Sequence, residues 1–401
     1  VKLGIDRLLG DAVLRRELAG RRPALLAHPA SMTADFRHAV DALSACPETR
    51  PRAAFGPQHG MRGEMQDNMQ ETADYVDPVH GIPVFSLYGE VRRPTAAMLD
   101  TFDVLLVDVQ DVGTRIYTFL TTVLYVLEAG ARAGKAVWVL DRPNPAGRPV
   151  EGVLLQPGWE SFVGAGALPM RHGLTLGEAA QWFRTHHRLD VDLRVVAMED
   201  YDPTTAPGYG WPLGELSWVN PSPNAATLSM ARAYPGTVLL EGTNLSEGRG
   251  TTRPLEVVGA PDLDITRLLD LMATMAPAWM AGCRLRPCHF QPTFHKFAGE
   301  LCAGIQIHVD DAAYRHDAFR PYRLVALFLK ALRAWRPDWP IWRDFPYEYE
   351  TRLAIDVING GPSLREWVDD AGATASDFDA LLVPDERAWV ERRRQALLYP
   401  A

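Results

Sequence analysis

Short apolar runs rich in Val, Leu and Phe alternate along the first half of the chain with stretches whose apolar positions return at helical spacing. A run with no polar alternation is what a strand buried on both faces requires, so the pattern predicts βαβ units and a mostly parallel sheet covered by helices. The predicted strands are Pro23–Ala27, Arg52–Phe55, Pro83–Leu87, Val104–Val109, Ala136–Leu140, Leu193–Ala197 and Val238–Leu240, with helices at Thr95–Thr101, Tyr117–Ala133 and Thr175–His187. Beyond about residue 255 the texture changes to helices at Ile265–Trp279 and Tyr322–Trp335 and strands at Gly304–Val309 and Arg352–Val357. The fold class expected is α/β: a Rossmann-like, mostly parallel sheet domain over residues 1–255, followed by a smaller α+β domain over 256–401, with Gly259-Ala260-Pro261 as the clearest local break.

Length supports that division, because 401 residues exceed one ordinary core. Hydrophobic residues at 47% and charged residues at 23% fit continuous folded structure. A formal charge of −9 without a Lys/Arg block argues against nucleic acid as a partner. Many arginines stand beside Gly, Pro or Asn in turn-like segments, where a rigid fork can hold a carboxylate, so a small anionic ligand stays open. Cys46, Cys283, Cys288 and Cys302 lack zinc-ribbon spacing; Cys283 and Cys288 could pair in an oxidising compartment, and buried free thiols are the competing reading. No run of 18 apolar residues occurs and the first residues lack a signal-peptide succession. A soluble protein without membrane insertion is expected, either cytoplasmic or exported with its leader removed. No phosphate loop, no G-x-G-x-x-G after a strand and no G-x-S-x-G elbow is present, so neither a nucleotide cofactor nor a serine nucleophile is expected.

Ligands of open α/β sheets bind outside the carboxyl ends of the strands, and the polar residues collect there. His28-Pro29 follows the first predicted strand, Gly56-Pro57-Gln58-His59-Gly60 the second, Asp108 to Asp111 the fourth, Asp141-Arg142-Pro143-Asn144-Pro145 the fifth, and Glu241-Gly242-Thr243-Asn244 the last. Asp and Asn also cap helices and make turns, but five such endings favour one shared cleft.

Within the second ending, glycines allow close backbone approach, while His59, Arg62 and Glu64 offer proton transfer and anion binding; a structural turn is the competing reading. Asp108, Asp111 and Arg115 suit a site rim as well as a helix cap and ion pair. Prolines stiffen Asp141 to Pro145, so that Arg142 and Asn144 point in fixed directions. A second Asn-Pro run, Asn220 to Asn224, follows Trp218, which is either an apolar face for a sugar ring or a core anchor. The densest stretch places Glu241 and Glu247 six residues apart in a Gly-rich turn with Arg249 alongside. Two carboxylates fit glycoside hydrolysis, which needs an acid and a base or nucleophile. They also fit an ion pair, and no ligand spacing near them supports a metal. His172 and Arg171 precede a helix whose Thr175 and Glu178 have capping-box spacing, and are weaker candidates.

The ordered runs FGPQHGMRG, PVFSLYG with RRPT, DVLLVDVQDVGTRIYT, VLDRPNPAG, MRHGLT, WVNPSPN, LEGTNLSEGRGT and PTFHKFAGELCAGIQIHV are similar to the DUF1343 family, which includes the NamZ-type exo-β-N-acetylmuramidases of glycoside hydrolase family 171. The resemblance covers nearly the whole chain. It implies a Rossmann-like domain, a C-terminal auxiliary domain and a cleft between them that removes N-acetylmuramic acid from non-reducing ends of peptidoglycan fragments without a cofactor. The lactyl carboxylate of that sugar would be met by Arg62, Arg115, Arg142 or Arg249. One departure matters. The family pattern commonly reads FGPEHG, and its Glu is a candidate acid or base, whereas this chain has Gln58, a neutral amide that cannot trade a proton. The following run, Glu64 to Met69, also departs from the usual members, which marks a divergent subgroup.

The expectation is hydrolysis of a terminal β-linked N-acetylmuramyl residue or related amino sugar. Glu241 and Glu247 are the leading carboxylates, with Glu64 and His59 as further proton carriers. Gln58, Arg62, Asp108, Asp111, Arg115, Asp141, Arg142, Asn144, His172, Asn224 and Arg249 are the expected substrate-binding residues. The sugar's own acetamido group is a third possible nucleophile. The alternative is a non-catalytic muropeptide-binding protein that has lost its acid at position 58.

Overall fold

The computed structural model describes residues 1–63 and 70–401. Among them, strands β1 (Pro23–Ala27), β2 (Ala53–Gly56), β3 (Tyr75–Val76), β4 (Pro83–Ser86), β5 (Val104–Asp108), β6 (Ala136–Leu140) and β7 (Leu193–Val196) form one sheet in the order β3-β4-β2-β1-β5-β6-β7. Only the β3–β4 pairing is antiparallel. The continuous apolar runs are explained by burial on both faces. Leu26, Leu105, Val107, Val137 and Val139 enter one core, and the alternate Leu25, Ala27, Leu106, Trp138 and Leu140 enter the other. Strand order reverses direction between β1 and β5, so the carboxyl ends on either side of that switch open a crevice.

The sequence reading holds for six of its seven N-terminal strands and for the helices, found at Ala96–Leu99, Phe119–Ala133 and Leu176–His186. The last of these starts at the anticipated capping box, with Thr175 Oγ1 accepting from Glu178 N and the Glu178 carboxylate from Thr175 N. Val238–Leu240, expected as a strand, is instead a 3-10 turn, Val238–Gly242, continuing the helix Leu228–Thr237. Arg352–Val357 is likewise corrected: Ala354–Asn359 is helical. Both segments are short and fully buried, and a short buried helix gives the same apolar run as a buried strand.

The smaller sheet is three-stranded and antiparallel, with β8 (Val257–Ala260), β9 (Arg284–Phe290) and β10 (Cys302–His308) in the order β8-β10-β9. Gly259 lies within β8; a Cβ there would sit 2.4 Å from the Ala303 carbonyl oxygen, so this glycine marks close strand approach, not a linker. β9 escapes sequence recognition because it is an exposed edge strand carrying Pro287 and charged residues. Helices Ile265–Met275, Pro321–Trp335, Ser363–Asp369 and Ala375–Arg393 also belong to this part, the first of them shorter than the Ile265–Trp279 expected because Pro277 opens a separate 3-10 turn. Leu105 and Val107 of the large sheet share one apolar cluster with Tyr322, Val325, Ile355 and Trp389, so the two parts are joined by a common core. All four cysteines are free thiols. No helix among the described residues is long and apolar enough to cross a membrane.

Candidate active site

A cavity opens where β2, β4 and β5 end and the C-terminal part covers the sheet. Gln58 and His59 follow β2, Tyr88 follows β4, and Tyr117, Thr118 and Phe119 begin the helix after β5. Ser222, Asn224, Tyr234, Glu241 and Arg249 form the opposite wall, and Tyr347 and Glu348 complete it from the C-terminal part. Its empty volume, open mouth included, is about 650 Å³.

Local backbone chemistry aims these groups. After Gly56 the chain folds into a tight turn in which Gly60 N donates to the Pro57 carbonyl at 2.9 Å. His59 and Gly60 take left-handed φ values of 72° and 81°. For His59 that conformation is uncommon and strained, a cost that is typically concentrated at functional sites. Thr118 Oγ1 donates to Gln58 Oε1 at 2.7 Å, which fixes the amide and leaves its NH₂ as the group it can offer. Gly89 holds Tyr88 in place, since a Cβ there would lie 2.5 Å from the Thr72 carbonyl oxygen, and Thr72 N donates to the Tyr88 carbonyl at 3.0 Å.

The two glutamates of the Gly-rich turn share one guanidinium. Arg249 Nη2 donates to Glu241 at 2.6 Å and Nε to Glu247 at 3.0 Å. Lys296 adds a second cation, its Nζ 2.7 Å from Glu247 and donating to the carbonyls of Leu240 at 2.7 Å and Thr243 at 3.1 Å. The consequences for the pair are opposite. At Glu247 the cations Lys296 and Arg249 outweigh the desolvation that opposes ionisation, and its pKa falls to about 2. At Glu241 desolvation by burial is the largest influence and exceeds the pull of Arg249, so its pKa rises above the ordinary carboxylate value. Glu241 lines the cavity, whereas Glu247 is 0% exposed behind it. Neighbouring carboxyls whose environments drive their pKa values apart can divide proton transfer and fixed charge between them.

Residues 24–229 match the family described as "Exo-beta-N-acetylmuramidase NamZ, N-terminal", and residues 232–399 its C-terminal counterpart. The chain belongs to the NamZ family. It is 42% identical over 377 residues to the peptidoglycan beta-N-acetylmuramidase NamZ of Bacillus subtilis strain 168, covering 92% of this chain and 84% of that protein. A crystallised DUF1343 family protein of Bacteroides fragilis superposes with a TM-score of 0.86 at 28% identity, covering 100% of this chain and 99% of that one. A second from the same organism gives 0.73 at 25% identity, with 99% and 98% covered.

In this NamZ-family chain the sequence-derived candidates separate into two groups. Gln58, His59, Asn224, Glu241 and Arg249 meet at the cavity. The others engage partners outside its lining. Arg142 forms a bidentate pair with Asp108 at 2.6 and 2.8 Å, and Arg62 pairs with Asp77 at 3.0 Å. Arg115 donates to the carbonyls of Val153, Leu168, Ile358 and Asn359. Asp141 accepts from Thr175, Gly177 and Tyr399, and Asn144 ties together Ala146, Gly147 and Leu174. His172 is fully buried 3.5 Å from Asp111, whose carboxylate takes the Gly113 amide, and Arg171 donates to the Ala146 carbonyl. Trp218 packs against Trp211 and donates to the Ala225 carbonyl, as a core anchor does. Glu64 lies outside the described residues.

Sequence reasoning missed the aromatic wall of Tyr88, Tyr117, Tyr234 and Tyr347, and with it Glu348. Tyr88 and Tyr117 fall within runs quoted for the family resemblance. Tyr347 and Glu348 carry no local signal, because only the tertiary fold brings them to the sheet. No group of three metal-ligating side chains occurs among the described residues.

Proposed function

We propose that this chain hydrolyses the β-glycosidic bond of a terminal N-acetylmuramic acid in peptidoglycan fragments, with Glu241 as the proton donor. The observation that carries the assignment is the split pair: the cavity-facing carboxyl has a raised pKa, while its sealed neighbour is held ionised. Glu241, protonated, gives its proton to the leaving oxygen as the glycosidic bond breaks. Glu247 is a positioning residue that keeps Arg249 and Lys296 in place, and Lys296 in turn holds the turn on which Glu241 rides. Glu247 is sealed from the cavity, and Glu348, the other carboxyl of the lining, is bound by Phe162 N; we assign the nucleophile to the sugar's acetamido oxygen, which closes onto the anomeric carbon as the glycosidic bond breaks, before water opens the ring. Gln58 serves as an oriented amide toward the substrate, and its lack of a titratable proton is no obstacle once Glu241 supplies one. Residues 1–255 form the catalytic part, and residues 256–401 contribute Lys296, Tyr347 and Glu348.

The test is turnover of a N-acetylmuramyl disaccharide and of a chromogenic β-N-acetylmuramide by wild type, Glu241→Gln and Gln58→Glu. Glu241→Gln is expected to lower kcat on the disaccharide by about 10² to 10⁴, the usual contribution of a general acid. Gln58→Glu adds an anion to a site for an anionic sugar and is expected to lower kcat/KM. Unchanged disaccharide turnover in Glu241→Gln would remove the assignment, and a gain from Gln58→Glu would move the acid to position 58. Tight disaccharide binding by wild type with no product release would assign a non-catalytic binding role instead.

A further inference from the structure

The four arginines that the sequence offers for the lactyl carboxylate are all engaged by protein groups: Arg62 with Asp77, Arg142 with Asp108, Arg115 with backbone carbonyls and Arg249 with the two glutamates. A fifth, Arg92 in the RRPT run, is in a different condition. Its guanidinium carbon lies 3.5 Å from the ring centroid of Tyr88 and 4.8 Å from that of Phe162. Tyr88 lines the sugar cavity, Arg92 and Phe162 line the depression beside it, and Glu348 borders both. Nη1 of Arg92 is buried and meets no acceptor. Its neighbour Arg93 is the contrast, paired with Glu128 and stacked over Tyr125.

A buried guanidinium N–H without an acceptor is unfavourable unless something outside the chain supplies one. The contacts with Tyr88 and Phe162 hold the guanidinium beside the two rings, and a held guanidinium offers its donors as a fork to a planar oxyanion. Glu348 is the nearby carboxylate that could have taken this role. No ion pair joins it to Arg92 among the described residues, and it accepts from Phe162 N at 3.2 Å instead. An acceptor on a bound ligand would complete this donor, and a planar oxyanion adjacent to the sugar fits a guanidinium fork.

We infer that Arg92 reads the lactyl carboxylate of N-acetylmuramic acid and thereby separates it from N-acetylglucosamine, which lacks the lactyl ether. The inference rests on the hydrolase reading above for the identity of the sugar. Arg92 is then a specificity-determining residue, and binding strength, not proton transfer, is what it supplies.

The experiment compares wild type, Arg92→Met and Arg92→Lys on chromogenic β-N-acetylmuramide and β-N-acetylglucosaminide, and on a muramyl substrate whose lactyl carboxyl is amidated by a peptide. Calorimetric titration with free N-acetylmuramic acid and N-acetylglucosamine, and thermal unfolding, accompany it. Arg92→Met is expected to lose about 10- to 100-fold in kcat/KM on the muramide, mostly through KM, and to stay within about threefold on the glucosaminide and the amidated substrate, the scale of one charge-assisted pair. Arg92→Lys should recover part of the loss, since it keeps the charge without the fork. Equal losses on all substrates would make Arg92 a packing residue, and no loss on the muramide would overturn the inference. A loss confined to the amidated substrate would assign Arg92 to a peptide carboxylate and overturn the lactyl assignment. Absence of turnover by wild type would sink the hydrolase reading alone. The titration then decides: a preference for N-acetylmuramic acid abolished in Arg92→Met sustains the carboxylate site, and no preference in wild type ends it.

Discussion

Glu241 and Glu247 titrate in opposite directions although one guanidinium touches both, and that difference has measurable consequences. Glu247, with a folded pKa of about 2, stabilises the protein above its unfolded pKa of about 4.3, and the stabilisation is lost as pH falls between those values. At 1.36 kcal/mol per unit this amounts to about 3 kcal/mol. Glu241 has the opposite sign: its contribution is present at low pH and disappears as pH rises through its elevated pKa. Urea unfolding followed from pH 7 to 3 should therefore show a steeper acid-side loss for wild type than for Glu247→Gln. The substitution should itself cost about 3 to 5 kcal/mol at pH 7, because Arg249 and Lys296 are left as buried cations without the anion that pairs with both. An acid limb identical in both proteins would show that Glu247 is not held ionised by these partners. Catalysis separates the two residues again. A nitrophenolate leaving group needs little protonation, so Glu241→Gln should lose much less on a nitrophenyl muramide than on the disaccharide; equal losses would mean that Glu241 acts on binding and not on the departing oxygen. The sequence named both glutamates but not their division of labour, which depends on Lys296, about 50 residues further along in the PTFHKF run, where nothing local ties it to them.

At the scale of elements, legibility followed burial. β1, β5 and β6 were readable because a strand covered on both faces is apolar throughout, and the helix after Thr175 because its capping box is a local device. The turn bearing Glu241 was not, since Val238–Gly242 is as apolar as a strand and differs only in how its backbone is paired. Gly242 shows how tightly that turn is seated: a Cβ there would lie 2.6 Å from Ile355 Cα and N, both backbone atoms of the helix Ala354–Asn359. Gly242→Ala is therefore expected to push the turn away from that helix, costing about 1 to 3 kcal/mol as overpacking does. Glu241 moves with the turn, so kcat/KM should fall about tenfold or more, the general sensitivity of catalysis to small misplacement. Thermal unfolding and kinetics on the same preparation check both parts. A destabilised variant with full activity would show that the turn yields without carrying Glu241.

At the scale of the whole molecule, the cavity exists only because the C-terminal part is strapped across the sheet. Residues as distant in sequence as Gln58 and Glu348 face one space, and that convergence is what no local pattern could reveal. Polar strand endings pointed to the edge of the sheet where the cavity opens, but five endings look alike in sequence whether their side chains line it or, like Asp108 and Arg142, face each other. The strap itself is made of specific bonds. Trp389 Nε1 donates to the His172 carbonyl at 2.8 Å, Arg393 Nη1 to the Arg148 carbonyl at 2.8 Å, and Arg148 Nε to the Pro400 carbonyl at 2.7 Å. At the far end Tyr399 donates its hydroxyl to Asp141 at 2.7 Å and accepts from Met198 N at 2.8 Å, on the strand edge remote from the cavity. Tyr399→Phe removes both bonds at once while keeping the ring packed against Tyr201, so the loss is polar and not steric. Leaving the Met198 amide and one lone pair of Asp141 short of partners should cost about 2 to 4 kcal/mol. Because neither residue lines the cavity, kcat/KM at temperatures well below the unfolding transition should remain within about twofold of wild type. A lower midpoint in urea with intact kinetics would establish that the strap supports the site through global stability. A parallel fall in kcat/KM would instead mean that the C-terminal tail sets the position of the catalytic wall, placing Tyr347 and Glu348 under its control.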